Sequence, residues 1–198
     1  MAYSDFDLEK VTRDFALASN QGTDLFAGLA PVTPSAELVR WLDEFAPVAL
    51  GFGSELGRSS YIVAPILAEA KRRSPGRVTV IAGVSLDVDK ARGLAGVCDF
   101  VLARSDDHFT LRAPIFAAVE AKREDITGGL GQCAAELVAI RLFNEKHESP
   151  VPVVYGCVTS GNIWRFLKLD GDTLFIDKSE YHLSALPQIL GILVSVCG

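Results

Sequence analysis

The stretch Ile115-Phe116-Ala117-Ala118-Val119-Glu120-Ala121-Lys122 is an apolar run that ends in a carboxylate and an ammonium group. Its composition predicts a β-strand that is buried on both faces and closes at the polar loop 123–125. Side chains alternate along a strand, so Glu120 and Lys122 are expected to project from the same face, one pleat apart. Lone buried charges are costly. Ion pairing would explain this pair, and a metal site would explain it equally.

Two strands are predicted before this run, over residues 77–84 and 97–102, and together the three form an antiparallel meander. Asp99 lies in the second of them between apolar residues, which predicts that its side chain points away from open water. A hydrogen-bonded structural role is the simpler interpretation of such an aspartate. After the run, a strong helix over 128–147 carries Gln132 and Glu136 one turn apart near its N-terminus.

The remaining elements are read from periodicity and turn residues. Helices are predicted over 7–18, from an N-cap at Thr33 to about residue 45, over 55–73 and over 183–196, and strands over 153–159, 163–169 and 173–176. The dipeptide Asp170-Gly171 predicts a hairpin turn. The 55–73 helix has a predicted buried stripe of Leu56, Ile62, Val63, Ile66 and Leu67. Its carboxylates Glu55 and Glu69 are fourteen residues apart, nearly four turns, and so lie close to one face.

Composition favours a folded protein with a sizeable core. The chain has 198 residues, is 49% hydrophobic and contains no apolar run of transmembrane length. Its acidic start does not have the order of a signal peptide, so we expect a cytoplasmic protein without a membrane partner. Four widely separated cysteines, each in an apolar context, predict reduced core thiols. The histidines His108, His147 and His182 have no metal-ligand spacing.

The net charge of −6 argues mildly against a nucleic-acid partner, but the charge is unevenly distributed. Residues 1–60 hold nine acidic and four basic residues, whereas the rest of the chain is nearly balanced. The acidity therefore belongs mostly to the N-terminal part, and a basic surface elsewhere remains compatible with the sequence.

The glycine-rich segment Gly51-Phe52-Gly53-Ser54-Glu55-Leu56-Gly57 offers a different function. It is similar to the loop that opens a helix in dinucleotide-binding proteins, with Gly51 and Gly53 at the phosphates. The apolar segment before it is only Val48-Ala49-Leu50, and the later part of the chain predicts antiparallel hairpins. The simpler interpretation is a turn with Ser54 as N-cap and Glu55 in the first helical turn.

The order of these elements and residues resembles the PD-(D/E)XK nuclease-like (restriction endonuclease-like) superfamily. Its motifs correspond here to Cys98-Asp99, Glu120-Ala121-Lys122 and Gln132, and the similarity covers residues 54–169. The stretches 118–122 and 156–166 are similar to small bacterial members and to the nuclease domain of type I restriction subunits. Cys98 stands where the motif has proline. The resemblance implies a restriction endonuclease-like mixed β-sheet flanked by helices in residues 51–198, with residues 1–50 as an N-terminal helical appendage.

The resemblance also implies an activity, the Mg²⁺-dependent hydrolysis of phosphodiesters. Asp99, Glu120 and the backbone carbonyl of Ala121 would be ligands of Mg²⁺ or Mn²⁺, and Glu55 or Glu69 would add a further carboxylate. Lys122 would orient the attacking water, and Gln132 would position water or substrate. The expected substrate is nucleic acid, with DNA favoured over RNA, and a homodimer or a partner protein would supply specificity.

Two alternatives remain open from sequence alone. In the first, Lys122 pairs internally with Asp99 or Glu120, and the protein is a non-catalytic interaction or scaffold protein with a nuclease fold. In the second, the chain binds a dinucleotide at Gly51 and Gly53. Trp164 and Arg165 would suit base stacking, but a tryptophan packed into the core is the simpler interpretation.

Overall fold

A computed structural model of the chain describes residues 2–107 and 109–198, so His108 lies outside the described residues. The chain forms one mixed eight-stranded sheet with helices on both faces. The predicted mixed α/β (α+β) class is therefore confirmed. Two hydrophobic cores, one on each face of the sheet, hold these layers together.

The strands are β1 Ala18–Asn20, β2 Thr79–Ser85, β3 Val97–Ala103, β4 Ile115–Ala121, β5 Val153–Thr159, β6 Ile163–Asp170, β7 Thr173–Ile176 and β8 Tyr181–His182. Their order is β1-β7-β6-β5-β4-β3-β2, and β8 pairs with β6. The pairs β1/β7 and β4/β5 are parallel and the others are antiparallel. The predicted meander of β2, β3 and β4 is thus confirmed, and every residue of β4 is buried as expected.

The helices are α1 Leu8–Asp14, α2 Ala36–Phe52, α3 Glu55–Arg58, α4 Ala64–Arg73, α5 Ile126–Lys146 and α6 Leu186–Cys197. A π-helical turn, Ser59–Val63, joins α3 to α4, and short 3-10 helices span Tyr3–Asp5 and Leu183–Ala185. Helices α1 and α5 cover one face of the sheet, whereas α2, α4 and α6 cover the other. Because β4 and β5 are parallel, the chain must cross over between them, and α5 makes this crossover.

Helix α5 is the central helix of the protein. It is long and apolar enough to cross a membrane by length and composition, but 72% of its most apolar window is buried inside the protein. A helix that is apolar on nearly all sides and is covered by its own chain belongs to a protein core. The four cysteines are buried and free, as the sequence predicts.

The predicted helix over 7–18 is wrong at its end. Helix α1 stops at Asp14, Ala16 adopts a left-handed conformation, and Ala18 begins β1, which pairs with β7. The first fifty residues therefore contribute an edge strand to the sheet as well as helices. Tyr3 and Phe6 are also buried in the core beside α5. The division of the chain at residue 50 stays a prediction.

Helix α2 also differs from its prediction. Its N-cap is Ser35, which accepts from Leu38 N, rather than Thr33. The helix continues beyond residue 45 to Phe52 with Pro47 inside it, and Gly53 ends it in the left-handed conformation. The stretch 48–50 is therefore helical. The Gly51–Gly57 segment lacks the preceding strand that a dinucleotide-binding loop requires. Ser54 caps α3, as the simpler interpretation predicts.

The 55–73 helix is continuous but not uniform. Pro65 follows a π-helical turn, in which the N–H of Ala64 bonds to the carbonyl of Ser59. The inserted residue rotates the preceding turn by about 100° relative to an α-helix. Ile62, Val63, Ile66 and Leu67 are buried as predicted, whereas the rotation leaves Leu56 exposed.

The β6–β7 hairpin turns on Gly171-Asp172, one residue later than predicted, because Asp170 pairs with Thr173.

Candidate active site

Three of the residues singled out in the sequence meet at the end of β4. The Nζ of Lys122 lies 2.7 Å from Glu120 Oε1 and donates to Gln132 Oε1 at 2.9 Å. The Nε2 of Gln132 donates to the same Glu120 oxygen at 2.5 Å. Side chains from the end of β4, from the residue that follows it and from α5 thus form one closed set of hydrogen bonds. The predicted convergence of Glu120 and Lys122 on one face is confirmed.

Asp99 joins this group from the neighbouring strand β3. Its Oδ2 accepts a hydrogen bond from the backbone N–H of Ala121 at 2.8 Å. Ala121, whose carbonyl is the predicted third ligand, is the last residue of β4. The register of β3 and β4, in which Phe100 faces Val119, carries Asp99 to the level of Glu120. The antiparallel meander therefore places Asp99 beside the Glu120–Lys122 pair.

Glycines in the first turns of α5 allow this convergence. A Cβ at Gly129 would lie 2.7 Å from Val158 Cγ1 and 3.1 Å from Lys122 Cγ, so only glycine leaves room for the lysine stem. A Cβ at Gly131 would lie 2.4 Å from the backbone of Phe6 and Asp7. The sequence Gly-Gly-Leu-Gly at 128–131 therefore lets α5 approach both the sheet and the N-terminal segment closely.

Glu136 has no role in the site predicted from the sequence, although it lies one helical turn after Gln132. Glu136 is fully buried, and its Oε1 accepts from Gln132 Nε2 at 3.2 Å. The Oε2 atoms of Glu136 and of Glu120 are both buried and accept from no N–H or O–H donor among the described residues, and a hydrogen bond between the two carboxyl groups contributes to their pKa values. The i, i+4 spacing between Gln132 and Glu136 is the sequence feature that could have indicated a role for Glu136. It indicates this role only when the face of α5 that carries Gln132 is known to point at Glu120.

The cluster holds more acidic groups than its single ammonium group can balance. Burial, and then the charge of Asp99, raise the pKa of Glu120. Burial and the neighbouring Glu120 raise the pKa of Glu136 well above its usual range. Burial also raises the pKa of Asp99. For Lys122 burial acts to lower the pKa, but the hydrogen bond and charge of Glu120 outweigh it and the pKa is raised. Lys122 is therefore a firmly held cation among three carboxyl groups.

The two candidate helix carboxylates occupy different places. Glu69 is buried away from the cluster, where its oxygens accept from Ser35, Arg72 and Arg73. Glu55, in the first turn of α3, is exposed, and its charge acts on both Asp99 and Lys122. The structure therefore brings Glu55, rather than Glu69, toward the site.

Comparisons with known proteins returned no match: no family model, no curated protein and no solved structure corresponds to this chain.

The chemistry of the donor atoms suits a hard cation. Mg²⁺ prefers carboxylate and carbonyl oxygens and retains several waters, so it needs few protein ligands. The carboxylate oxygens of Asp99 and the Oε2 of Glu120 are donors of this kind. Across residues 2–107 and 109–198, however, no three acidic, histidine or cysteine side chains are gathered closely enough to hold a metal ion as they stand. The cluster thus has the right donors, and Lys122 is bonded to one of them.

The site is reachable from outside. The side chain of Lys122 is 23% exposed, whereas that of Glu120 is 4% exposed. Lys122 therefore reaches the surface, while its ammonium group bonds to the buried acid. Trp164 is fully buried, and its Nε1 donates to the carbonyl of Gly161, so this tryptophan is a core residue as predicted.

Proposed function

We propose that this protein is a Mg²⁺-dependent nuclease that hydrolyses phosphodiester bonds in DNA. The observation that carries the proposal is the hydrogen-bonded set Glu120–Lys122–Gln132 beside Asp99, at the open end of a buried strand. The order of helix, three antiparallel strands, crossover helix and parallel strand also supports the resemblance to the PD-(D/E)XK nuclease-like superfamily and its restriction endonuclease-like fold.

Asp99, Glu120 and the carbonyl of Ala121 would hold the Mg²⁺ or Mn²⁺ ion, with Glu55 the nearer candidate for a further carboxylate. When bound, the ion supplies a Lewis acid for the phosphoryl oxygens and lowers the pKa of water. The protein's own contribution is positional. Lys122 presents an ammonium group to the charge that develops on the phosphoryl oxygens and orients the attacking water.

Gln132 and Glu136 support this arrangement from α5. The amide of Gln132 donates to Glu120 and accepts from Lys122, so it fixes the acid and the ammonium group in one orientation. Glu136 lies behind Gln132, and burial and the charge of Glu120 raise its pKa well above the usual range, so a second charge next to Glu120 is disfavoured. DNA is the favoured substrate because the resembling enzymes act in restriction and repair. We place the protein in the cytoplasm, where its four buried thiols would stay reduced.

The test is a cleavage assay with plasmid and linear DNA in the presence of Mg²⁺ or Mn²⁺. The wild type is expected to cleave, whereas Glu120→Gln and Lys122→Met are expected to lose at least about 100-fold in rate, the usual effect of removing one transition-state contact. Lys146→Met is the matched control, because Lys146 is an exposed lysine at the opposite end of α5. Circular dichroism must show that all variants fold. Absence of metal-dependent cleavage by the wild type would refute the enzymatic proposal.

One observation favours a second function, that of a non-catalytic interaction or scaffold protein. Lys122 already satisfies Glu120 and Gln132, so the cluster has a structural explanation as an internal ion pair. In that case the variants would lose stability and the wild type would bind no divalent ion.

A further inference from the structure

Arg58 is a buried cation that has no acidic partner within residues 2–107 and 109–198. It is only 8% exposed, and its Nη1 donates to the backbone carbonyl of Ser160 at 2.8 Å. Its Nε is buried and has no hydrogen-bond partner, and within the described part of the chain no carboxylate forms an ion pair with it. Buried charges are normally paired, because their desolvation is costly. An arginine without a carboxylate partner among the described residues can take an anion from outside the chain as its partner.

The position of Arg58 connects it to the active site. The Nη1 of Arg58 bonds to the carbonyl of Ser160, and the N–H of Lys122 bonds to the carbonyl of the preceding residue, Thr159, at 2.7 Å. Arg58 and Lys122 are therefore fixed to consecutive residues at the end of β5. Arg58 also follows Glu55 by one turn of α3, and the charge of Glu55 acts on Lys122 and Asp99.

A second guanidinium group converges on the same place. Arg123 follows Lys122 directly and is exposed, and no ion pair or hydrogen bond of its side chain is found among the described residues. A Cβ built on Gly53 would lie 3.7 Å from Arg58 Nη2 and 3.8 Å from Arg123 Nε. Both guanidinium groups thus lie close to Gly53, that of Arg58 hydrogen-bonded to Ser160 and that of Arg123 exposed at the surface. Planar guanidinium groups are well suited to bind phosphate oxygens.

We infer that Arg58 and Arg123 form a phosphate-binding pair that holds a backbone phosphate of a polynucleotide next to the bond at Lys122. This inference rests on the proposed function for the identity of the reacting bond. It deepens that function, because it assigns two residues outside the Glu120–Lys122–Gln132 set to hold the DNA strand at a second phosphate. Asp99 and Glu120 would hold the metal ion, and the two arginines would hold the strand.

The test is fluorescence anisotropy of a fluorescein-labelled DNA oligonucleotide, single-stranded and duplex, with EDTA present so that neither cleavage nor metal-dependent binding contributes. Arg58→Met and Arg123→Met are each expected to weaken binding about tenfold. Each should also reduce the slope of log affinity against log salt concentration by about 1, the value of one lost phosphate contact. Arg77→Met is the control, because Arg77 is exposed, is paired with Asp106 and precedes β2 at the opposite end of the sheet.

If the Arg58→Met variant does not fold, the Arg123→Met variant still tests the inference, because Arg123 is exposed. The Arg58→Lys variant can also be used, because it retains the positive charge at position 58. Unchanged affinity and salt slope in the folded variants would overturn the inference, as would absence of DNA binding by the wild type. The proposed function fails separately. If the arginine variants bind DNA like the wild type, and cleavage that depends on Glu120 is intact, only the phosphate-binding pair is refuted. Arginine-dependent binding without any cleavage by the wild type refutes only the nuclease.

Discussion

The buried carboxylate of Glu69 is predicted to be a main anchor between α2 and α4. It accepts from the N–H of Ser35 at 3.1 Å, from Arg72 Nη2 at 2.6 Å and from Arg73 Nε at 3.0 Å. The change Glu69→Gln keeps the shape of the side chain but turns one acceptor oxygen into a donor that faces a guanidinium group. A hydrogen bond to a charged group contributes about 1.5–3 kcal/mol, and the two arginines are half exposed, which reduces the effect. We expect a loss of about 2 kcal/mol in the free energy of unfolding.

Urea denaturation at pH 7 measures this loss. With a slope of about 2 kcal/mol/M, the midpoint should fall by about 1 M. Glu37→Gln is the matched control, because Glu37 is 73% exposed and also faces Arg72, at 3.5 Å. That change should alter stability by less than about 0.5 kcal/mol. Equal effects of the two substitutions would refute the argument.

The same carboxylate predicts a pH dependence. Burial opposes its ionisation, but the hydrogen bonds from Arg72, Arg73 and Ser35 outweigh burial and lower the pKa of Glu69. A lowered pKa in the folded state means that the stabilisation is present above the ordinary glutamate pKa of about 4.3 and is lost as the pH falls below it. The difference between wild type and Glu69→Gln should therefore be full at pH 7 and shrink below about pH 4.

Two further substitutions test the packing that positions the site. Gly131→Ala would bring a Cβ against the backbone of Phe6 and should lower the melting temperature by about 5 °C. Gly51→Ala, in open space at the end of α2, should raise the melting temperature by about 2 °C. Equal shifts for the two variants would contradict this expectation. The side-chain amide of Asn144 bonds to both the N–H and the carbonyl of Ile115. Asn144→Leu should therefore lower the free energy of unfolding, measured by urea denaturation, by about 3 kcal/mol and should speed amide hydrogen exchange at Ile115. A change below about 1 kcal/mol would show that these hydrogen bonds are dispensable.

Local patterns predicted the centre of this fold well. The pair Glu120–Lys122 follows from the two-residue period of a strand, and strands β5 and β7 match their predicted bounds because turn residues flank them. Strand β1 could not be predicted, because its partner β7 lies some 150 residues further along the chain. The three residues of β1 carry too short a pattern to reveal such a pairing.

The site shows the same division between local and distant determinants. Asp99, Glu120, Lys122 and Gln132 could be selected from the sequence because each lies in or beside an element with a clear pattern and matches a motif of the resembling superfamily. Glu136 was not, since α5 is buried on most sides and its polar positions do not mark a solvent face.

Calorimetric titration of the protein with Mn²⁺ tests the central claim most directly. If Asp99 and Glu120 hold a divalent ion, the wild type should show site-specific binding. The change Asp99→Asn, which keeps an acceptor for the N–H of Ala121 but removes the charge, should abolish that binding. Asp170→Asn, at an exposed aspartate on the opposite end of the sheet, should leave it unchanged. A wild type that binds no Mn²⁺, or an Asp99→Asn variant that binds it equally well, would contradict the metal-dependent site.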